Sequence, residues 1–392
     1  MFLDKEEEKI ISGEAGYIKQ KALNIIIKIG EALGAEKLVK IKKVHISGIS
    51  YKNIGDPGLE FIEKLAENGG KFSCYTSINP AGMDLAMWKE MGLDENFFKK
   101  QKKIIDLLVK MGAVPTLSCV PYFINPPKYG EQIAWGESNA VLYANSVIGA
   151  RTNREGGPLT LFEAISGRAP LIGLRIDELR KPTIAVDLRN IDNKKYGLIG
   201  YLVGKIVKKD IPYIFNIKFK DKYDLRLFLA AIGTSSSIGL TLIENISPEA
   251  HLWKKCIKKL EKIVPDNKDL IEAESEISSD AENYDAIMVG CPHLFVDEIR
   301  RIVNIVGNKR FSKRFIMFIP RFIYFREKKL LEELRKRGAE IYRDTCMVVS
   351  PLINMNIKKV IVDSAKAAYY LSSEGYIVKV VSTENAVRMA LE

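Results

Sequence analysis

Three cysteines stand just past short apolar runs, in Ser118-Cys119-Val120-Pro121, Gly290-Cys291-Pro292-His293 and Asp344-Thr345-Cys346. A strand hands over to a loop at such places, and the placement suits a three-thiolate iron-sulfur site. Thiolates are the soft ligands that hold these clusters, and three protein ligands leave one iron open for a substrate hydroxyl. Against this stands burial as small hydrophobes, the usual fate of isolated cysteines; no two of the three form a CxxC. Ser364 and Lys366 form a Ser-x-Lys after the apolar run Val360 to Val362. Arg151 and Arg154 are an anion clamp or an interface pair, since a guanidinium captures phosphate or carboxylate with two donors.

Three polar segments accompany them. His45 to Gly58 runs from a strand end to a helix start and offers N–H groups and hydroxyls to an anion, although a plain turn explains Gly55 to Gly58 equally well. Phe72 to Gly82 is a second hydroxyl-rich strand end, carrying Ser73, Thr76, Ser77 and Asn79. Gly136 to Pro158 is a third and contains Ser138, Asn139 and the two arginines.

The elements that must position these groups alternate between helix and strand, the order of an α/β protein. Helical spacing runs from Lys5 to Leu33 with breaks at Gly13 and Gly16. A strand over Val44 to Ile49 follows, then a helix over Leu59 to Ala66 and a strand over Phe72 to Tyr75. Helices over Asp84 to Lys89 and Glu95 to Met111 lead to a strand over Thr116 to Val120. The runs Leu171 to Leu174, Thr183 to Val186, Tyr213 to Ile217 and Phe228 to Ile232 suggest another sheet, and the polar stretch Val264 to Asp285 a linker. Ala286 to Val289, Phe315 to Ile319, Glu340 to Tyr342, Val360 to Val362 and Ile377 to Val381 read as strands of a doubly wound parallel sheet. Ligands of such sheets sit beyond the carboxyl ends of the strands, where Cys291, Cys346 and Ser364 fall. We therefore divide the chain into an N-terminal α/β region (1–170), a central α/β region with linker (171–283) and a C-terminal doubly wound unit (284–392).

Composition narrows the classes. The 392 residues suffice for two or three cores, and 47% hydrophobic with 28% charged residues is ordinary for a globular protein. No apolar stretch reaches membrane-spanning length, and the first ten residues are acidic rather than a leader. Five cysteines, an odd number, argue against a disulfide scaffold and for a reducing, cytoplasmic setting. The net charge of +11 suits an anionic partner, but the lysines are spread and no basic run is interleaved with aromatics, which argues against nucleic acid. Repeats, a Walker loop, GxGxxG and HExxH are absent.

Taken together, the segments from His45 to Asp56, Tyr75 to Pro80, Ser118 to Tyr122 and Gly136 to Gly157, with Ser235-Ser236-Ser237, Ile246 to His251, Gly290 to His293 and Asp344 to Cys346, resemble the aconitase X family, in order and over nearly the whole chain. The resemblance implies an aconitase-like fold and an iron-sulfur cluster, a [4Fe-4S] cluster with one open iron, on Cys119, Cys291 and Cys346. It also implies loss of water from mevalonate 5-phosphate in the archaeal-type mevalonate route. Cys74 and Cys256 lie outside the ligand motifs. His45, Ser364 and Lys366 are the candidate catalytic residues. Ser73, Thr76, Ser77, Asn79, Ser138, Asn139, Arg151, Arg154, Ser235 and Ser236 are the candidate substrate contacts, with a structural serine-rich turn as the alternative for the last two. Aconitase-like enzymes need a swivelling domain whose serine is the base, and no small β-rich domain follows the last sheet, so a small partner subunit is expected to supply it. Rival readings are a hydroxyproline dehydratase of the same family, a cluster-bearing RNA-binding regulator, and a partner subunit with structural thiols.

Overall fold

The computed structural model describes residues 1–192, 195–280 and 283–392. Fourteen strands form four sheets among the described residues, mostly parallel, in a mixed α/β architecture. In the first part β1 (Leu38–Lys40), β2 (Lys43–Ile46), β3 (Tyr75–Ile78), β4 (Ala134–Trp135) and β5 (Arg168–Pro170) make two sheets. β2 lies between β3 and β4, parallel to both, and β1 pairs antiparallel with β5. The second part has β6 (Ile184–Asp187), β7 (Pro212–Phe215), β8 (Leu242–Ile243) and β9 (Glu261–Ile263), in the order β8-β7-β6-β9. The last holds β10 (Ala286–Val289), β11 (Phe315–Ile319), β12 (Ala339–Arg343), β13 (Lys359–Val362) and β14 (Ile377–Val380), ordered β12-β11-β10-β13-β14 and wholly parallel.

Local chemistry explains these elements. Every residue of β10 and β11 is buried, as in a parallel strand covered by helices on both faces. Between them the helix Val296–Val306 buries Ile299, Ile302 and Val306, one face at helical spacing. Asp4 caps the first helix, Lys5–Ile11, through a capping box with Glu7.

Both the first and the last parallel sheets reverse their strand order beside a central strand. In the first sheet that strand is β2, and in the last it is β10, flanked by β11 and β13. Crevices open at the carboxyl ends of such switch points. The two edges are tied to each other: the Ala81 N–H donates to Asp344 O (2.7 Å), Ser50 Oγ to Val349 O (2.9 Å), and the Arg343 N–H to Asp84 Oδ2 (2.9 Å).

Several expected elements differ. Phe228 to Ile232 lies inside the helix Lys222–Ser235, because an apolar run buried on all sides does not distinguish helix from strand. Thr116 to Val120 forms no strand: Leu117 stands at φ +46, and the run is held to Ile78 at the end of β3 through Thr116 Oγ1 (2.8 Å) and the Ser118 N–H (3.3 Å). Asp84 to Lys89 forms turns rather than a helix, with Asp84 accepting from the N–H groups of Ala86 and Met87. Leu171 to Leu174 is a connection after β5. The polar stretch after Val264 contains the capped helix Asn267–Ile277, which buries Leu270, Ala273 and Ile277; 281–282 lie outside the described residues.

Candidate active site

Between the two carboxyl edges lies a cleft of about 240 Å³. From the first edge come Ser47 to Ser50 after β2, Asn79 after β3, and Glu137 with Ser138 after β4; the C-terminal unit contributes Val348, Val349, Lys366 and Tyr370. Glu137 is the hub. It pairs with the Lys366 ammonium and accepts from Asn79 Nδ2 (2.9 Å) and Asn139 Nδ2 (3.2 Å). Burial pushes its carboxyl up, but the charge and hydrogen bond of Lys366, with the two amides, prevail and hold it at about 2. For Lys366 burial acts downward and the Glu137 charge prevails, so its value is raised.

This charge dictates the protons behind it. An ionised Glu137 needs donors, so Asn79 turns its NH₂ toward it and presents Oδ1 to His45 Nε2 at 3.1 Å. Nε2 must then carry the ring proton, leaving Nδ1 to accept from Ser77 Oγ at 2.8 Å. Desolvation lowers His45 to about 4, so the ring is neutral. His45, expected to be catalytic, is fully buried behind the cleft and positions Asn79.

The three cysteines of interest are buried and none is in a disulfide. Burial is the largest cause raising each thiol, Cys119 to about 12. Negative charge on Cys119 or Cys346 would raise Cys291 further, whereas Lys366 lowers all three. Each sulfur has a donor at hand. The His293 N–H reaches Cys119 Sγ at 3.4 Å, Ser364 serves Cys291, and the N–H groups of Val348 and Val349 serve Cys346. Three mutually interacting thiols, each with a donor and all beside one ammonium, fit an iron-sulfur cluster, whose sulfurs take such hydrogen bonds.

Other expected residues lie elsewhere. Arg151 is buried against Glu249 (2.6 Å) and Asp177 (2.6 Å), away from the cleft, and Arg154 lines it. Positions 151 and 154 bridge Gln132 and Trp135 in an extended register, and an odd spacing sends side chains to opposite faces. The Ser73 hydroxyl donates to Ile165 O (2.6 Å), and Ser73 precedes β3, at the opposite end from Asn79. Thr76 Oγ1 turns back to Cys74 O (3.1 Å), and Ser77 serves His45. Ser235 and Ser236 bond back to helix carbonyls, at 3.0 Å to Ala231 O and 2.6 Å to Ile232 O. Ser364 caps the helix Ala365–Ser373 and faces Cys291 rather than the cleft. Asn139 links Glu137 to Cys119 O (2.9 Å). Glu137 was not among the expected contacts, although its place directly after the apolar pair Ala134-Trp135 and Gly136 marks a strand end. His293 was missed too: Nε2 meets Thr345 O at 2.8 Å, binding the Cys291 loop to the Cys346 loop.

Three family profiles match in succession: aconitase X first domain over residues 1–178, second domain over 182–275 and third domain over 284–392. The chain belongs to the aconitase X family. Among aconitase X relatives, the phosphomevalonate dehydratase large subunit of Methanocaldococcus jannaschii is 41% identical over 95% of this chain and 96% of its own. The protein of that name from Thermococcus kodakarensis is 38% identical, end to end in both chains. The cis-3-hydroxy-L-proline dehydratase of Hypocrea jecorina is 34% identical over 94% of this chain but 65% of its own. A crystal structure of Thermococcus kodakaraensis aconitase X, in its holo-form, superposes with a TM-score of 0.91 at 38% identity, each chain fully covered.

Proposed function

We propose that this chain is the large subunit of a hydro-lyase that removes water from mevalonate 5-phosphate to give trans-anhydromevalonate 5-phosphate, in the archaeal-type mevalonate route to isoprenoids. The observation that carries the reading is the meeting of three buried thiols with a Glu137–Lys366 pair across two facing sheet edges, in a chain matched end to end by an archaeal large subunit. The regions 1–170, 171–283 and 284–392 are the units that bring these edges together. The five free cysteines suit a reducing, cytoplasmic setting.

Cys119, Cys291 and Cys346 would hold the cluster. Three buried free thiols are the soft donor set that a [4Fe-4S] cluster with one open iron would take. When bound, the cluster supplies a Lewis-acidic iron that makes hydroxide a tolerable leaving group. The protein does the rest. Of the three N–H donors of Lys366, one goes to Glu137 and one to Ser138 Oγ (3.4 Å), leaving one for a substrate carboxylate as negative charge builds beside it. Asn79 and Asn139 keep Glu137 ionised and still, and Glu137 keeps Lys366 in place. Arg154 faces an anionic group from the outer wall. The elimination takes a proton from the carbon beside the carboxylate and hydroxide from the tertiary carbon, so no electron carrier is needed. Among the described cleft residues no unpaired base stands ready, His45 being fully buried with both ring nitrogens hydrogen-bonded, to Ser77 and Asn79. A small partner subunit supplies it.

The test is to load the chain with iron and sulfide, add the small subunit, and follow mevalonate 5-phosphate and cis-3-hydroxy-L-proline in parallel by NMR. Dehydration of the first, dependent on cluster and small subunit, is expected. No turnover at full cluster loading, or turnover of hydroxyproline alone, would overturn the reading. Full activity without the partner would overturn the subunit's role.

A further inference from the structure

The cleft does not end at Arg154. A second depression of about 980 Å³ adjoins it and shares Gly136 and Arg154 with it. Lys208, Lys209 and the serine turn through Ser237 form its other wall. This wall is built: Lys208 closes the helix Tyr196–Val207 at φ +54, and the Ser237 N–H (3.1 Å) and Oγ (3.4 Å) both donate to its carbonyl. Arg154 Nη1 donates to Ser236 O (2.7 Å), which holds the guanidinium across the gap. Among the described residues no carboxylate pairs with Arg154, Lys208 or Lys209. The two acids that border the depression are engaged elsewhere, Glu155 with Arg175 (2.9 Å) and Asp210 with the Thr183 hydroxyl (3.0 Å). Three unpaired cations therefore line a hollow that opens onto the candidate active site, the arrangement that concentrates a multiply charged anion.

We infer that this hollow is the phosphate subsite, and that Lys208 and Lys209 determine selectivity for a phosphorylated substrate. The inference rests on the functional reading above and adds residues to it. The phosphate of mevalonate 5-phosphate stands beyond the reacting carbons on a short flexible chain, so with those carbons between the sheet edges it must lie to one side, and Arg154 marks that side. Ser235 and Ser236 donate their hydroxyl protons to helix carbonyls, so the lysines, Arg154 and backbone N–H groups carry the recognition.

The experiment uses the cluster-loaded complex of both subunits, with Lys208→Ala, Lys209→Ala and the double variant. In the double variant the KM for mevalonate 5-phosphate should rise by about tenfold or more with kcat nearly unchanged, the pattern of a lost contact made equally in ground and transition states. Inhibition by inorganic phosphate should weaken in parallel, and Lys208→Arg should retain much of it. Unchanged KM and phosphate inhibition in the double variant would overturn the inference. So would a defect confined to the affinity for the small subunit, which would make the hollow a docking surface. If the wild-type complex does not turn over mevalonate 5-phosphate, the functional reading fails. The subsite is then judged alone, by ³¹P NMR titration of inorganic phosphate, where binding by the wild type that the double variant loses upholds it and equal binding refutes it.

Discussion

Replacing Glu137 by Gln should be among the more destabilising single changes in this chain, and replacing Lys366 by Met at the same time should restore much of the loss. Glu137 and Lys366 are 11% and 9% exposed, so either charge left alone would sit in a poorly hydrated cleft wall. Holding the carboxyl at about 2 rather than its ordinary 4.5 corresponds to about 3 kcal/mol in favour of the charged form. Breaking a buried pair by removing one partner commonly costs about 3 to 5 kcal/mol, a range that agrees. Removing both charges leaves two neutral groups of similar size, so the singles and the double should differ from additivity by about 2 kcal/mol or more. The assay is a double-mutant cycle of urea unfolding on the cluster-free chain. Glu137 has its value depressed in the folded state, so its contribution is full above about pH 4.5 and is lost as the pH falls from there toward 2. The difference between wild type and Glu137→Gln should shrink in that window and be flat above it. Additive single losses, or a Glu137→Gln cost under about 0.5 kcal/mol, would refute the reasoning.

The thiol assignment predicts that Cys119→Ser, Cys291→Ser and Cys346→Ser each abolish the visible chromophore of a reconstituted sample, while Cys74→Ser and Cys256→Ser keep it; a Cys119→Ser protein with full iron content would contradict it. His45, lowered to about 4 from its ordinary 6.5, should stay neutral through physiological pH, and its ring carbon-bound proton signals should not titrate between about pH 5.5 and 8. Because this value is lowered in the folded state, unfolding releases a group that binds protons more readily, so His45 erodes stability as the pH falls from 6.5 toward about 4. A ring titrating near its ordinary value would show that the proton order through Asn79 and Glu137 is wrong.

The C-terminal unit was legible because each of its strands is short, apolar and set off by turns, so that Ala286 to Val289 and Phe315 to Ile319 were located to the residue. Where periodicity carried less information the reading slipped. Phe228 to Ile232 belongs to a helix buried on every side, and Phe72 to Tyr75 anticipated a strand that begins at Tyr75. In the candidate site the segments were legible in the sequence and the direction of each side chain was not. Arg151 and Arg154 looked equivalent in sequence, and their odd separation on an extended segment gave one to the interior and one to the cleft. Ser73 and Asn79 share a segment, but only the latter stands past the carboxyl end of β3. Glu137 escaped notice because its importance comes from Lys366, which is remote in the chain and across the cleft.

The same topology explains why the cysteines could not be joined by spacing. Cys119 precedes β4, Cys291 follows the central strand β10 and Cys346 follows β12, so the set exists only when the carboxyl edges of two different sheets are brought face to face. His293 secures that meeting, since its backbone N–H serves Cys119 and its ring reaches the carbonyl before Cys346. One side chain and its own amide thus tie together all three thiol loops. The phosphate hollow has the opposite origin. Lys208 and Lys209 precede β7, at the amino end of a parallel strand, where the rule for open α/β sheets does not look for ligands. They border the cleft because the central sheet presents that end to Arg154, so under the proposal the reacting carbons and the phosphate would be read by opposite ends of parallel strands.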